Sequence, residues 1–304
     1  MLLNKVYQGD VLQKMSEIDS ASINCIITSP PYWQLRDYGW SGQWGLEQTY
    51  QEYLDHLIQF MSECKRVLKD DGTIWINLGD TYNGNKNGNT TEKNRAVNNK
   101  SIAKKKCKGL PNKCLMLIPH RFAIRCIDEL NLILRNDIIW AKRNGMVESV
   151  TDRFSKKHEF FFFFVKQEKY YFDLDSIKDF TKTKDSSNRN RDITKLNNTP
   201  GRTKMNGLKT NNYDFKNPGD VSDFWNIPTK GSNEKHYAMF NNKLIEKPII
   251  VGCPKGGVIL DPFAGTGTTL VRARELGRNV LGFDGKQEYV NIVNNKLDSI
   301  LITI

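Results

Sequence analysis

A chain of 304 residues with 38% hydrophobic side chains is long enough for one sizeable α/β domain plus a smaller appendage around a buried core. No apolar stretch reaches the ~18 residues of a membrane span, and Met1 to Asp10 run into strand-like sequence rather than a signal segment, so a cytoplasmic protein with no membrane partner is expected. The net charge of +11 is concentrated in residues 83–113, with nine Lys or Arg against one acid, and in 176–217, with ten against four, which leaves the remainder slightly acidic.

Taken in chain order, Ser22 to Thr28 form an apolar run that stops at Ser29-Pro30-Pro31-Tyr32, as a buried strand must where two prolines forbid further pairing. A helix is predicted from Tyr50 to Leu68: Thr49 and Glu52 make a capping box, Leu54, Leu57, Ile58 and Met61 share a face, and Gly72 follows its end. Thr73 to Leu78 reads as the next buried strand. The first basic segment follows, rich in Asn, Lys, Ser and Thr and without apolar periodicity. That profile suits an exposed loop tracking a phosphate backbone, and equally a solvated insertion.

Pro119 opens a helix to about Leu130, and Leu132 to Trp140 and Glu159 to Val165 read as strands, the latter with Phe160 to Phe164 in succession as core. The second basic segment ends near Phe224-Trp225. A helical pattern over Leu244 to Val251 leads to the strand Val258 to Leu260, then a glycine loop, a helix to about Gly277, and a strand Val280 to Phe283 closed by Asp284. Strands alternating with helices predict an α/β fold, a doubly wound, mostly parallel sheet with ligands beyond the strands' carboxyl ends. The six cysteines form no C-x-x-C pair, which fits reduced thiols and no metal site.

Gly265 and Gly267 allow a tight turn and close approach to a ligand, and the acid some twenty residues on, Asp284, can hold ribose hydroxyls. The third glycine of a dinucleotide loop and the lysine of a P-loop are both missing, so a nucleoside without pyrophosphate fits better, against the alternative of a turn that serves packing alone. At the other motif, an exocyclic base amine is a poor nucleophile because its lone pair is delocalised into the ring. Acceptors must grip its hydrogens and aim that pair. Ser29 offers a hydroxyl, Pro30-Pro31 a fixed backbone carbonyl, and Tyr32 an aromatic face, unless the tetrapeptide is an ordinary proline-rich turn.

Both motifs carry a resemblance. Asp261-Pro262-Phe263-Ala264-Gly265-Thr266-Gly267-Thr268 resembles the D-P-F-x-G-x-G-T loop of the amino-methylating DNA methyltransferases, and Ser29-Pro30-Pro31-Tyr32 resembles the catalytic motif of their N4-cytosine class. Catalytic motif before cofactor motif is the order of the beta-type (SPPY) N4-cytosine family of restriction-modification systems. Trp140, Lys142, Asn144 and Met146, then Ser149, Asp152-Arg153 and His158-Glu159, look like a further family block, with Val147 where proline is usual. His236-Tyr237-Ala238-Met239-Phe240 resembles the segment that precedes the cofactor loop.

The resemblance implies an S-adenosyl-L-methionine-dependent methyltransferase fold in which Asp261, Phe263, Gly265, Gly267, Thr268 and Phe240 line the cofactor pocket and Asp284 binds the ribose. Asp10, in a family-like G-D element, would contact the adenine; a helix-cap role suits it equally. Gly285 stands where the family usually carries a hydrophobic residue. The 140–159 block would face the target base or the DNA, although Arg153 and Glu159 also have the charges of a structural ion pair. Residues 1–175, including the basic insertion 83–113, would form the catalytic half, 176–230 the target recognition region and 231–304 the cofactor half.

The implied reaction is site-specific methylation of cytosine N4 in double-stranded DNA by base flipping and direct transfer. The implied partners are that DNA, in a nucleoid-associated protein, and a cognate restriction endonuclease. Because the serine marks a tendency, N6-adenine methylation is the nearest alternative. An RNA or protein amide methyltransferase and a non-catalytic DNA-binding module stand further off.

Overall fold

Val, Ile, Phe and Trp runs too apolar to face water on either side become the strands of one sheet covered on both faces. The computed structural model describes residues 1–40, 42–84, 106–145, 148–180, 216–217, 221–229 and 241–300. In chain order these give β1 (Lys5–Gln8), α1 (Val11–Ser16), β2 (Ile23–Thr28), α2 (Tyr50–Val67), β3 (Leu68–Leu78), α3 (Ile118–Leu130), β4 (Ile133–Ala141) and β5 (His158–Val165). After the short strands β6 (Asp179–Phe180) and β7 (Lys216–Asn217) come β8 (Phe224–Asn226), α4 (Asn242–Gly252), β9 (Val258–Asp261), α5 (Thr268–Glu275), β10 (Asn279–Asp284) and α6 (Gln287–Asp298).

The main sheet has eight strands in the order β1-β10-β9-β2-β3-β5-β4-β8. All neighbours are parallel except β5, which runs antiparallel to both β3 and β4. The expected doubly wound, mostly parallel α/β sheet is thus observed, with one reversed strand that strand-helix alternation does not reveal. The chain divides into two compact units: Met1–Asp173 with Ser222–Ile304, and Leu174–Val221. The described part of the second unit contains a 3-10 turn, Leu174–Ile177, and the antiparallel pair β6-β7.

Helices α1, α2 and α3 bury Met15, Leu54, Leu57 and Phe122 against one face of the sheet. Thr49 caps α2 through the expected capping box with Glu52. The phenylalanine run is core on both faces, which is why it does not alternate. Phe162 and Phe164 meet Phe122 of α3 at ring distances of 6.1 Å. On the opposite face Phe163 stacks on Trp75 at 4.1 Å, and Phe161 packs on Trp225 of β8. Trp225 falls within the expected recognition region, yet its strand belongs to the main sheet.

Residues 85–105, most of 176–220, Met146, Val147, His236 and Phe240 lie outside the described residues. Among the described residues, no helix is long and apolar enough to cross a membrane, and no three His, Cys, Asp or Glu side chains are grouped to hold a metal ion.

Candidate active site

Strands β2 and β9 are sheet neighbours, pairing Cys25 with Ile259 and Ile26 with Leu260. Their carboxyl ends therefore deliver two loops side by side, the Ser29–Tyr32 turn and the Asp261–Thr268 loop. At the junction the Thr28 hydroxyl donates to Asp261 Oδ1 at 2.6 Å, both residues buried and 233 positions apart in sequence. The same Asp261 oxygen accepts the Phe263 amide at 3.2 Å and so shapes the loop that follows. Burial pushes the Asp261 carboxyl up to about 6, against the lowering effect of these donors, and the neighbouring Asp284 pushes in the same direction as burial.

Past Asp261 the backbone turns through Gly265 (φ +51°) and Gly267 (φ +80°), left-handed conformations that favour glycine. A Cβ at Gly265 would meet no protein atom within 4 Å, whereas one at Gly267 would lie 2.5 Å from Val293 of α6. Gly265 thus leaves room beside the loop, and Gly267 allows α5 to start against α6. Asp284, at the end of β10, accepts the Gly265 amide at 2.9 Å and the Lys286 amide at 2.8 Å, one on each oxygen. Burial raises its carboxyl above the usual range. Asp10 accepts the Leu12 and Gln13 amides as the cap of α1 and also lines the same cavity.

That cavity, of about 530 Å³, runs from Asp10, Asp284 and Gly265 past Asp261 and Phe263 to Ser29–Tyr32, Asn77, Lys142 and Glu159. It thus joins the two sequence motifs in one space of ligand size. Thr268 lines it as well. Gly285, the departure from the family pattern, has a structural counterpart in Trp40: a Cβ at 285 would lie 2.4 Å from the Trp40 indole. The Trp40 indole, from the loop that follows Tyr32, thus covers Gly285 and lines the same cavity. Trp44 of that loop packs on Phe263 at 5.4 Å and on Phe60 at 6.1 Å, bracing the cofactor-like loop from the catalytic half.

At the tetrapeptide, the Ser29 hydroxyl donates to the Asn77 carbonyl at 3.3 Å, which leaves its lone pairs open to another donor. Tyr53 of α2 donates to the Pro31 carbonyl at 2.8 Å, and the Pro30 carbonyl has no hydrogen-bond partner among the described residues. The Tyr32 hydroxyl lies 2.8 Å from both Asn77 Oδ1 and Glu159 Oε2 and can donate to one of them at a time. Asn77 is held in that orientation by its own donation to the Phe160 carbonyl at 2.9 Å. Lys142 pairs with Glu159 and lies 4.4 Å from the Trp140 ring centre. Burial, followed by the Glu159 charge, pushes the Tyr32 phenol well above its ordinary value and keeps it neutral.

The expected ion pair between Arg153 and Glu159 is not formed. Arg153 pairs with Glu148 at 2.5 Å and lies over the Tyr82 ring at 4.0 Å, because Glu159 is carried into the sheet by β5 while Arg153 stays on the loop before it. Tyr53, Asn77, Trp40 and Trp44 were not singled out from sequence. Asn77 had a usable signal, a polar residue inside the run Ile74-Trp75-Ile76-Asn77-Leu78. The two tryptophans sit in a glycine-rich loop, where no periodicity indicates burial.

The family model for N6/N4 DNA methylases matches residues 23–295. The chain belongs to the N6/N4 DNA methylase family. Among its relatives, the type II methyltransferase M.Cfr9I of Citrobacter freundii is 36% identical over 96% of this chain and 87% of its own length. The type II methyltransferase M.SmaI of Serratia marcescens is 34% identical over 96% and 90%. Two solved structures share the fold of this N6/N4 methylase. The PvuII DNA methyltransferase (cytosine-N4-specific) has a TM-score of 0.64 at 21% identity, covering 98% of this chain and 87% of that one. The M1.HpyAVI–SAM complex has a TM-score of 0.53 at 17% identity, covering 97% and 98%.

Asp261 gives this methylase a testable pH signature. Its carboxyl has an ordinary value of 3.8 and titrates near 6 in the fold, so the folded state keeps the proton longer and loses stability as pH rises through that window. Asp261→Asn escapes the loss. Its stability relative to wild type should shift in its favour between pH 4 and pH 7, by at most ~3 kcal/mol, measured by denaturant unfolding; a pH-independent difference would refute the buried-acid account.

Proposed function

We propose that this methylase transfers the methyl group of S-adenosyl-L-methionine to the exocyclic N4 of cytosine in double-stranded DNA. The observation that carries the reading is the pair of open acceptors, Ser29 Oγ and the Pro30 carbonyl, on a cavity that continues to Asp284. An amine placed between them would give up one hydrogen to each acceptor, drawing its lone pair out of conjugation and toward the cofactor end. Serine at position 29, rather than Asp or Asn, favours cytosine N4 over adenine N6.

The residues present fit the cofactor. Each Asp284 oxygen has lone-pair capacity left for a ribose hydroxyl beyond the single amide it accepts. Trp40 over Gly285 offers an aromatic wall for the adenine, Asp10 an acceptor near it, and Gly265 open space for close approach. The cofactor supplies an electrophilic methyl group. The chain supplies orientation, with Tyr32 held by Asn77 and Glu159 to present its ring to the flipped base. Residues 176–230 are assigned target recognition and 83–113 backbone tracking on the same DNA, with a cognate restriction endonuclease as the second partner.

Incubation of the protein with genomic DNA and isotope-labelled cofactor, followed by nucleoside mass spectrometry, is expected to yield N4-methylcytosine. N6-methyladenine would overturn the base assignment, and no labelled nucleoside would overturn DNA methylation. Ser29→Ala should bind the cofactor normally in calorimetry while slowing single-turnover methylation by about 10²–10³-fold; an unchanged rate would remove Ser29 from the site. Trp40→Ala should weaken cofactor binding by about tenfold, and unaltered affinity would show that Trp40 does not form the adenine wall.

A further inference from the structure

Phe154 is 97% exposed, more than any other large hydrophobic side chain among the described residues, with Leu2 next at 74%. Its backbone, by contrast, is held. Arg153 donates to the Phe154 carbonyl at 3.0 Å while it pairs with Glu148 and covers the Tyr82 ring. Two residues on, the Lys156 amide donates to Glu148 at 3.3 Å and the Lys156 ammonium reaches the Asp80 carbonyl. A bare phenyl ring on a braced backbone contributes nothing to the core and presents an apolar projection to solvent.

The position of this projection matters. Phe154 belongs to the connection between β4 and β5, whose ends pair Ala141 with His158 at the sheet edge where β3 also ends. The same connection contributes Lys142, Asn144 and Gly145 to the cavity wall. Residues 142–157 carry five Lys or Arg against two acids, a balance suited to phosphates beside the cavity mouth. Extruding a base from a duplex leaves a gap in the stack, and proteins that deform DNA fill such gaps with apolar side chains.

We propose that Phe154 enters the duplex at the place the target base vacates, and so holds that base in the cavity. The inference rests on the proposed methylation of double-stranded DNA. The phenyl ring replaces the stacking lost on either side of the gap, while the positive balance of the same connection favours the flanking phosphates. Its contribution is therefore to extrusion, and the transfer step itself does not require it.

The test uses the full-length protein and two oligonucleotide duplexes carrying a site that the wild-type protein methylates in genomic DNA. In one the target base is paired; in the other it lies opposite an abasic position and extrusion is already easy. Phe154→Ala should slow single-turnover methylation of the paired duplex by about tenfold or more and that of the abasic duplex by less than about twofold. Phe154→Leu should keep most of the wild-type rate on both. Equal slowing on the two duplexes, or none on either, would overturn the proposal. Absence of any methylated nucleoside in the genomic assay that supplies this site would overturn instead the methylation reading beneath it, so the two failures are distinct.

Discussion

The buried hydrogen bond from Thr28 to Asp261 is the constraint around which the site is arranged. Thr28 is the last residue of β2 and Asp261 the last of β9, so the bond locks together the two points where the chain leaves the sheet toward the catalytic turn and the cofactor-like loop. The same carboxylate oxygen holds the Phe263 amide, and the turn beyond it brings the Gly265 amide onto Asp284. Three strand ends are thereby fixed relative to one another through two acids, Asp261 and Asp284. Burial of Asp261 is unfavourable, as its raised titration point shows. An apolar residue could pack there, but it could not accept the two donors that set the loop.

The catalytic turn is held by polar groups reaching in from several elements. Tyr53 on α2 occupies the Pro31 carbonyl and Asn77 on β3 occupies the Ser29 hydrogen, so what stays open on the turn is acceptor capacity. This polarity suits an amine substrate and would repel a carbonyl or phosphate oxygen. Glu159 would by itself add a negative charge beside the same turn; its pairing with Lys142 supplies a compensating charge in a partly buried setting. The network fixes Tyr32 by its hydroxyl and leaves the oxygens of Ser29 and Pro30 open to a donor.

Much of this was legible in the sequence because it is local. The capping box at Thr49 and Glu52, the proline stop after Thr28 and the glycine turn between β9 and α5 are each determined by neighbouring residues, and each lies where expected. What escaped is non-local. The antiparallel insertion of β5 between β3 and β4 depends on pairings across the sheet, and the unbroken phenylalanine run signals only that both faces are covered. Trp40 meets Gly285 through space, so the missing hydrophobic residue after Asp284 could be seen in the sequence but its replacement could not. Arg153 and Glu159 are close in sequence and opposite in charge, yet strand direction separates them and gives Arg153 to Glu148.

The distribution of charge separates two tasks that a DNA-modifying protein must perform. Outside the segments 83–113 and 176–217 the chain is slightly acidic, and the cavity itself holds Asp10, Asp261, Asp284 and Glu159 against Arg36, Lys142 and Lys286, close to balance. A site so close to balance exerts little long-range pull on a polyanion; the excess positive charge of the chain lies in the two basic segments. Because attraction by that charge is blind to sequence, it can bring the duplex to the protein without selecting a base. Selection is left to short-range fit at the cavity, where the oxygens of Ser29 and Pro30 stay open to a donor.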